Sequence, residues 1–324
     1  MIKYSNGSAV PLSLAVFLAT DTYDSDENVI SATSLIKPIR QIILSARVPV
    51  GDVVIDLVQM TASRMGTAIH DAIERAWKDN YAVAMEHLGY PTKLINRVRI
   101  NPPLDDLSEG CIPIYLEQRE QKQVGKFLIS GKFDFIGDGR LEDFKTTSVY
   151  TAMRGSNDDK YILQGSIYRW LNPLKITKDE MAIQFIFTDW SKAKAMQDTK
   201  YPQERIQQKI LPLKPIQETD LFIKRKLDQI ERLWDVPEAD LPLCSAEDLW
   251  RSDPVFKYYK NPQSRKRSTK NFDTYHDAQV RCQEDGNVGV VVEVPGQVMA
   301  CKYCNAFSVC SQKDALIAAG ELVL

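Results

Sequence analysis

The stretch that most limits what this chain can fold into is "KFLISGKFDFIGDGRLEDFKTTS", from Lys126 to Ser148. Two strand-like runs flank "GDG" (137–139), and a Gly-Asp-Gly between such runs makes a tight hairpin turn. "IPIYLEQREQ" (112–121) reads as a strand before it. "KYILQGSIYRWL" (160–171) then returns to helical period, and "MAIQFIFTDW" (181–190) to strand. Upstream, in "TASRMGTAIHDAIERAWKDNYAVAMEHLGY" (61–90), Ile69, Ala72, Ile73 and Trp77 recur at helical spacing, with Gly89 as the stop. Helix, three strands, helix, strand predicts an α/β core of α+β type, a mixed central sheet flanked by helices.

With 324 residues, the chain can bury a sizeable core in one large domain or two modest ones. Three segments are expected. Residues 1–60 form an N-terminal helical segment, in which Ser31 or Thr33 caps a helix and Pro38 delays the regular part of the next. Residues 61–200 hold the core. Residues 201–324 hold an amphipathic helix ("ETDLFIKRKLDQIERLW"), a basic stretch and a cysteine cluster. The apolar "AVPLSLAVFLAT" (9–20) has the length of a leader's core, but it contains Pro11, follows a lone Lys3 and lacks a small-residue cleavage site before "DTYDSDEN". It predicts a buried helix or strand. A cytoplasmic setting follows, in which six cysteines serve as metal ligands or free thiols rather than disulfides. No apolar run is long enough to span a bilayer, so no membrane partner is expected.

The hairpin carries charge where a core prefers valine. Asp134 lies among Phe133, Phe135 and Ile136, and Asp143 and Lys145 flank Phe144. Alternation along a strand puts Asp143 and Lys145 on one face, with Phe144 and Glu142 on the other. Two carboxylates and an ammonium can thus converge at one sheet edge, a set that suits a hard cation such as Mg²⁺ or Mn²⁺ acting on a phosphoryl group. A solvated Asp–Lys pair on an exposed sheet face is the alternative reading of these residues alone.

Four motifs occur in order: "GTAIH" (66–70), "GKFD" (131–134), "EDFK" (142–145) and "QGSIY" (164–168). Together they resemble the RecB-like branch of the PD-(D/E)XK nuclease superfamily, with its G-x-x-x-H helix, G-x-x-D and D-x-K strands and Q-x-x-x-Y helix. The resemblance covers roughly residues 60–190. It implies a restriction-endonuclease-like core in which His70, Asp134, Asp143 and the Phe144 carbonyl ligate the metal. It also implies that Lys145 is the catalytic lysine, and that Gln164 and Tyr168 hold the lysine or a DNA phosphate. Glu117 matches an acid that some members place on the preceding strand, with Glu120 nearby as a second choice. The implied activity is a metal-dependent DNA exonuclease in recombination or end processing. A phage setting, with a single-strand annealing protein as partner, is similar to that of known relatives. A catalytically inactive DNA-binding or scaffold module with a structural metal is the reading from another class.

"ACKYCNAFSVC" supplies Cys301, Cys304 and Cys310, one ligand short of four, with Cys244, Cys282 and Cys111 as candidates for the last. The cluster resembles the iron–sulfur staple of RecB-like nucleases such as AddB and the CRISPR adaptation nuclease. That likeness implies a [4Fe–4S] cluster, with structural Zn²⁺ as the alternative. "PLCSAEDLW" around Cys244 resembles phage-encoded relatives, which favours Cys244 over Cys282.

Net charge is −2, so the chain has no global field for a polyanion, and DNA must be held by a local path. "KYYKNPQSRKRSTK" (257–270) has six basic residues, two tyrosines and no acid. It predicts phosphate contacts from Lys and Arg, with base stacking on Tyr258 and Tyr259, or else a solvated loop. Arg40, Arg47 and Arg64 offer a second path.

Overall fold

The computed structural model describes residues 3–20, 29–49, 54–155 and 157–324. The acidic run at 21–28 lies outside them. In chain order the strands are β1 (Lys3–Ser5), β2 (Val29–Ser31), β3 (Val54–Asp56), β4 (Val98–Ile100), β5 (Ile112–Leu116), β6 (Arg119–Val124), β7 (Phe127–Lys132), β8 (Phe135–Gly137), β9 (Arg140–Thr147), β10 (Glu180–Phe187), β11 (Ile206–Pro212), β12 (Val255–Tyr259), β13 (Lys270–Phe272) and β14 (Val290–Val294). The α-helices are α1 (Leu12–Ala19), α2 (Ala32–Leu35), α3 (Ile39–Arg47), α4 (Thr61–His87), α5 (Thr92–Ile95), α6 (Val149–Arg154), α7 (Asp158–Leu171), α8 (Lys192–Gln197), α9 (Ile216–Leu233), α10 (Tyr275–Glu284) and α11 (Ser311–Ala318). Two compact units result, residues 1–36 with 53–228, and residues 37–52 with 229–324.

The first unit is built on a six-stranded mixed sheet in the order β11-β10-β9-β8-β5-β4. β9 and β10 run parallel, with Asp143 opposite Ile183, and the chain crosses between them through α6 and α7, as a parallel pair requires. β8 and β9 form the expected hairpin. Asp138 and Gly139 both have positive φ (48° and 78°), the type I′ arrangement that matches strand twist.

Both runs that read as single long strands are broken. "IPIYLEQREQ" divides into β5 and β6 at Glu117–Gln118, and "KFLISGKFDFI" into β7 and β8 at Phe133–Asp134. β5 and β8 stay in the central sheet, while β6 and β7 form a second sheet with β2. The pair switches sheets as one ribbon: the Glu117 N–H donates to the Asp134 carbonyl (3.0 Å) and the Phe133 N–H to the Gln118 carbonyl (3.3 Å). Glu117 takes φ +51°, a left-handed conformation that bends the strand.

Helices cover both faces of the sheet. On the Phe144 face, α4 sets Trp77, Tyr81 and Met85 against Val98, Ile114, Leu116 and Phe135. Its buried stripe therefore runs through Ile73 and Trp77, and Ala72 is exposed. On the face of Asp143 and Lys145 lies α7. It approaches closely because of two glycines. A Cβ on Gly165 would stand 2.3 Å from Met181 Sδ, and one on Gly131 would stand 2.6 Å from Leu171 Cδ1 and 2.9 Å from Tyr168 Cδ1. The glycines of "GKFD" and "QGSIY" thus set how near the Gln164–Tyr168 helix sits to the sheet.

The N-terminal expectations divide. Ser31 caps α2, accepting from the Ser34 N–H (3.1 Å), and α3 starts directly after Pro38. The apolar 9–20 segment forms α1, but it is not buried as expected: Leu18 is buried, and Leu12, Leu14, Val16 and Phe17 are exposed. An eight-residue helix resting on its neighbours along one side can cover little more. Among the described residues no helix is long and apolar enough to cross a membrane.

The second unit has two small cores. Ile43 and Leu44 of α3 pack with Leu241 and Ala306, and Leu249, Val298, Leu316 and Leu322 pack together. A three-stranded antiparallel sheet, β13-β12-β14, is backed by α10 through Ala278 and Cys282.

Gly165→Ala should destabilise the protein by roughly 1–3 kcal/mol, the usual cost of forcing a methyl into a packed core. Urea unfolding measures it, and an unchanged midpoint would mean that α7 is not held at this distance.

Candidate functional sites

The site at the sheet edge begins with a backbone problem. β8 pairs with β9 only as far as Phe135 opposite Glu142. Beyond that the partner strand has left for the other sheet, so β9 continues past it with the Phe144 peptide groups unpaired on that side. Side chains satisfy them. Asp134 Oδ2 accepts from the Phe144 N–H (2.9 Å), and His70 Nε2 donates to the Phe144 carbonyl (3.0 Å). That bond fixes the imidazole, and its Nδ1 then faces Asp134 Oδ1 (3.5 Å) and Glu117 Oε1 (3.8 Å). One ligand atom from each of His70, Glu117 and Asp134 lies within 4.8 Å of the others. Lys132 holds the far oxygen of Glu117 at 2.6 Å. The trio lines an open cleft together with Lys132, Arg119 and Thr67.

Asp143 is 2% exposed, the most buried acid of the site. One oxygen is ion-paired with Lys145 and the other accepts from Gln164 (3.4 Å), which also donates to the Tyr168 hydroxyl (2.9 Å). Gln164 therefore holds Asp143, while the Tyr161 ring lies 5.6 Å from Lys145 Nζ. Glu142 points away and is taken up by Arg140 and Gln184, each at 2.7 Å. Glu120 pairs with Lys175 (2.7 Å), and Glu117 is the acid the bend turns inward. Sequence reasoning missed Lys132 and Tyr161. Tyr161 carried a usable signal, being one helical turn before Gln164 on the same face.

Crowded carboxylates shift one another. Burial opposes charging of His70, but Asp134, the Phe144 carbonyl and Glu117 outweigh it and raise its pKa to about 9. Burial raises Glu117, with the Asp134 charge adding to it against Lys132 and His70. Burial also raises Asp143 to about 6, with Lys145 opposing and Asp134 adding. Burial works against the Lys145 ammonium, yet Asp143 and Asp134 raise its pKa. Charge on His70, Lys145 and Lys132 thus offsets the carboxylates.

The second unit brings Cys244, Cys301, Cys304 and Cys310 together. Two short 3₁₀ turns, Ala300–Tyr303 and Phe307–Val309, present the last three. Gln312 grips the Cys244 backbone from both sides, accepting from its N–H (2.9 Å) and donating to its carbonyl (3.0 Å). Burial, then Asp248 and the neighbouring Cys310 and Cys304, push the Cys244 thiol up to about 12. Burial and the same neighbours raise Cys301, and burial and Cys310 raise Cys304. The other two cysteines are elsewhere. Cys282 is buried on α10 with its Sγ 3.6 Å from the Gly289 carbonyl, and Cys111 lies near Tyr115 in the first unit.

The basic stretch forms β12, a loop and the start of β13. Arg265, Lys266 and Arg267 are exposed, but the expectation of stacking on Tyr258 and Tyr259 is overturned. Both rings are buried, and the Tyr258 hydroxyl donates to Asp285 (3.1 Å). The second basic path also fails. Arg40 and Arg64 are buried, and Arg47 is committed to the Trp234 and Val236 carbonyls.

No family model and no curated protein matches the sequence. Among solved structures, the chain is similar to the crystal structure of SSO0001, at 16% identity and a TM-score of 0.39, over 67% of this chain and 81% of that one. It is also similar to a phage related exonuclease from Haemophilus somnus 129PT, at 16% identity and a TM-score of 0.29, over 64% of this chain and 93% of that one.

Without metal, a His70 pKa raised from 6.5 to about 9 adds stability that is fully present below pH 6.5 and lost as pH rises through about 9. In EDTA, the stability gap between wild type and His70→Gln should therefore shrink across that window. Urea melts at several pH values measure it, and a constant gap would mean that the imidazole is neutral throughout.

Proposed function

We propose that the protein is a metal-dependent DNA exonuclease, of RecB-like PD-(D/E)XK kind, that processes DNA ends in recombination. The observation that carries this reading is the convergence of His70, Glu117 and Asp134, two of them bonded to the Phe144 peptide, beside a buried Asp143–Lys145 pair. An imidazole, carboxylates and a carbonyl on a rigid edge fit Mg²⁺ or Mn²⁺. His70, Asp134, Asp143 and the Phe144 carbonyl would hold the ion, with Glu117 at its side. When bound, such an ion polarises a phosphoryl oxygen and lowers the pKa of a bound water. Lys145 donates to the charge that develops on the phosphate, and Asp143 keeps it in place. Gln164 and Tyr168 position Asp143 in turn.

For the cysteines, the reading is a [4Fe–4S] cluster held by Cys244, Cys301, Cys304 and Cys310, with zinc as the alternative. DNA would follow the exposed Arg265–Arg267 loop. A single-strand annealing protein, in a phage setting, is the partner this reading implies.

Digestion of end-labelled linear DNA, with Mg²⁺ or with EDTA, tests the reading. Stepwise loss of nucleotides only with metal is expected; binding without degradation would assign the chain to an inactive DNA-binding or scaffold class. Lys145→Ala should lower the rate on the order of 10²–10³-fold, as loss of a preorganised charge donor does, while melting near wild type. Asp143→Asn should also lose activity, and a wild-type rate in either variant would remove this hairpin from the chemistry.

Neutralising Arg265, Lys266 and Arg267 together should weaken binding to all DNA sequences alike. The slope of log affinity against log salt should fall by up to about two for single strands. Fluorescence anisotropy over a salt series measures it, and an unchanged slope would place the DNA path elsewhere.

A further inference from the structure

Arg40 is 2% exposed, the most deeply buried charge of the second unit, and its guanidinium is fully engaged. Nη1 donates to the carbonyls of Glu238 (3.2 Å) and Leu241 (3.0 Å). Nη2 donates to the Ser311 hydroxyl (3.4 Å) and is ion-paired with the Glu238 carboxylate. That carboxylate also accepts from the Ser311 N–H (3.0 Å). The remaining donor, Nε–H, points at Cys310 Sγ from 3.3 Å. A guanidinium is rigid and planar, so four bonds to backbone and side chains on one edge fix the direction of the fifth.

A neutral thiol is a poor reason to bury a guanidinium. The bond to sulfur gains most when the sulfur carries charge, since hydrogen bonds to ionised partners are about twice as strong. Arg40 is therefore placed to compensate thiolate charge at Cys310. The Arg40–Glu238 pair is neutral as a whole, so what reaches the sulfur is a directed N–H dipole backed by a nearby positive charge.

We propose that Arg40 is the positioning residue of the cysteine site, donating Nε–H to the Cys310 thiolate when that sulfur ligates an iron–sulfur cluster. This rests on the cluster reading above. Four thiolates on a [4Fe–4S]²⁺ core give a total charge of −2, and one added electron makes it −3. An N–H···S bond stabilises the more negative state, so it raises the reduction potential and keeps the thiolate from protonation and loss. Lysine keeps the charge but not the fork, and cannot hold Glu238, Leu241, Ser311 and the sulfur together.

The test uses the full chain, purified without oxygen. Iron and acid-labile sulfide are assayed first; wild type lacking both would remove the cluster reading itself, and the proposal with it. Dithionite titration, followed by bleaching of the broad absorption near about 400 nm, then gives the potential. Arg40→Lys should retain less iron, and its remaining cluster should reduce at a more negative potential than wild type. Arg251→Ala, which breaks the ion pair with Glu321 and touches neither a sulfur nor a cysteine backbone, should lower stability with the potential unchanged. Equal potentials in wild type and Arg40→Lys would overturn the proposal. If Arg40→Lys does not fold, wild type grown with ¹⁵N-arginine answers the same question. The reduced cluster should show hyperfine coupling to arginine ¹⁵N, and its absence would also overturn the proposal.

Discussion

The parting of β8 from β9 is the constraint from which the site follows. A strand that loses its neighbour in mid-sheet exposes an N–H and a carbonyl, and leaving such groups buried without a partner costs about 1–3 kcal/mol each. Here the partner departs at Phe135, and the loss falls on the peptide groups of Phe144. Asp134, the last residue before β8, bends back to accept the N–H, and His70 from α4 caps the carbonyl. The same two bonds that repair the sheet bring a carboxylate and an imidazole together. Glu117 joins them because it occupies the matching bend of the other strand, at a positive φ that a glutamate adopts only when its surroundings hold it. Lys132 and the hydrogen bond to the Asp134 carbonyl supply that hold.

The second unit shows the same economy with different chemistry. Its cores are small, and the cysteine segments are mostly turns, so little apolar burial fixes them in place. Instead the polar grips of Gln312 on Cys244 and of Arg40 on the 238–241 turn and Cys310–Ser311 tie together segments far apart in sequence. Each grip uses backbone groups that a turn leaves free, which regular secondary structure would have consumed.

Much of the first unit was legible because its signals are local. Helical period located α4 and α7, the Gly-Asp-Gly turn located the hairpin, and alternation put Asp143 rather than Glu142 beside Lys145. The sheet switch was not legible. "KFLISGKFDFI" alternates without interruption, and nothing in it marks Phe133–Asp134 as a break, because the cause is Glu117 sixteen residues upstream in a paired strand. Tyr258 and Tyr259 misled for a similar reason. Interleaved with lysines they look like a stacking surface, but β12 runs down the middle of its sheet, where both rings are buried. Arg40, Arg47 and Arg64 looked like a basic surface only because sequence does not show which helix face turns inward.

Charge balance gives the metal-free site its particular form. Three carboxylates, from Glu117, Asp134 and Asp143, meet in a half-buried edge, and two of them are pushed up in pKa by burial. The protein offsets them with the Lys145 and Lys132 ammonium groups and a proton on His70. Lys145 is committed to Asp143 and Lys132 to the far oxygen of Glu117, which leaves Asp134 and the near oxygen of Glu117 to the imidazole. The imidazole proton is thus held by the carboxylates around it, and the raised His70 pKa reflects the negative charge that the bend of the two strands gathers at this edge.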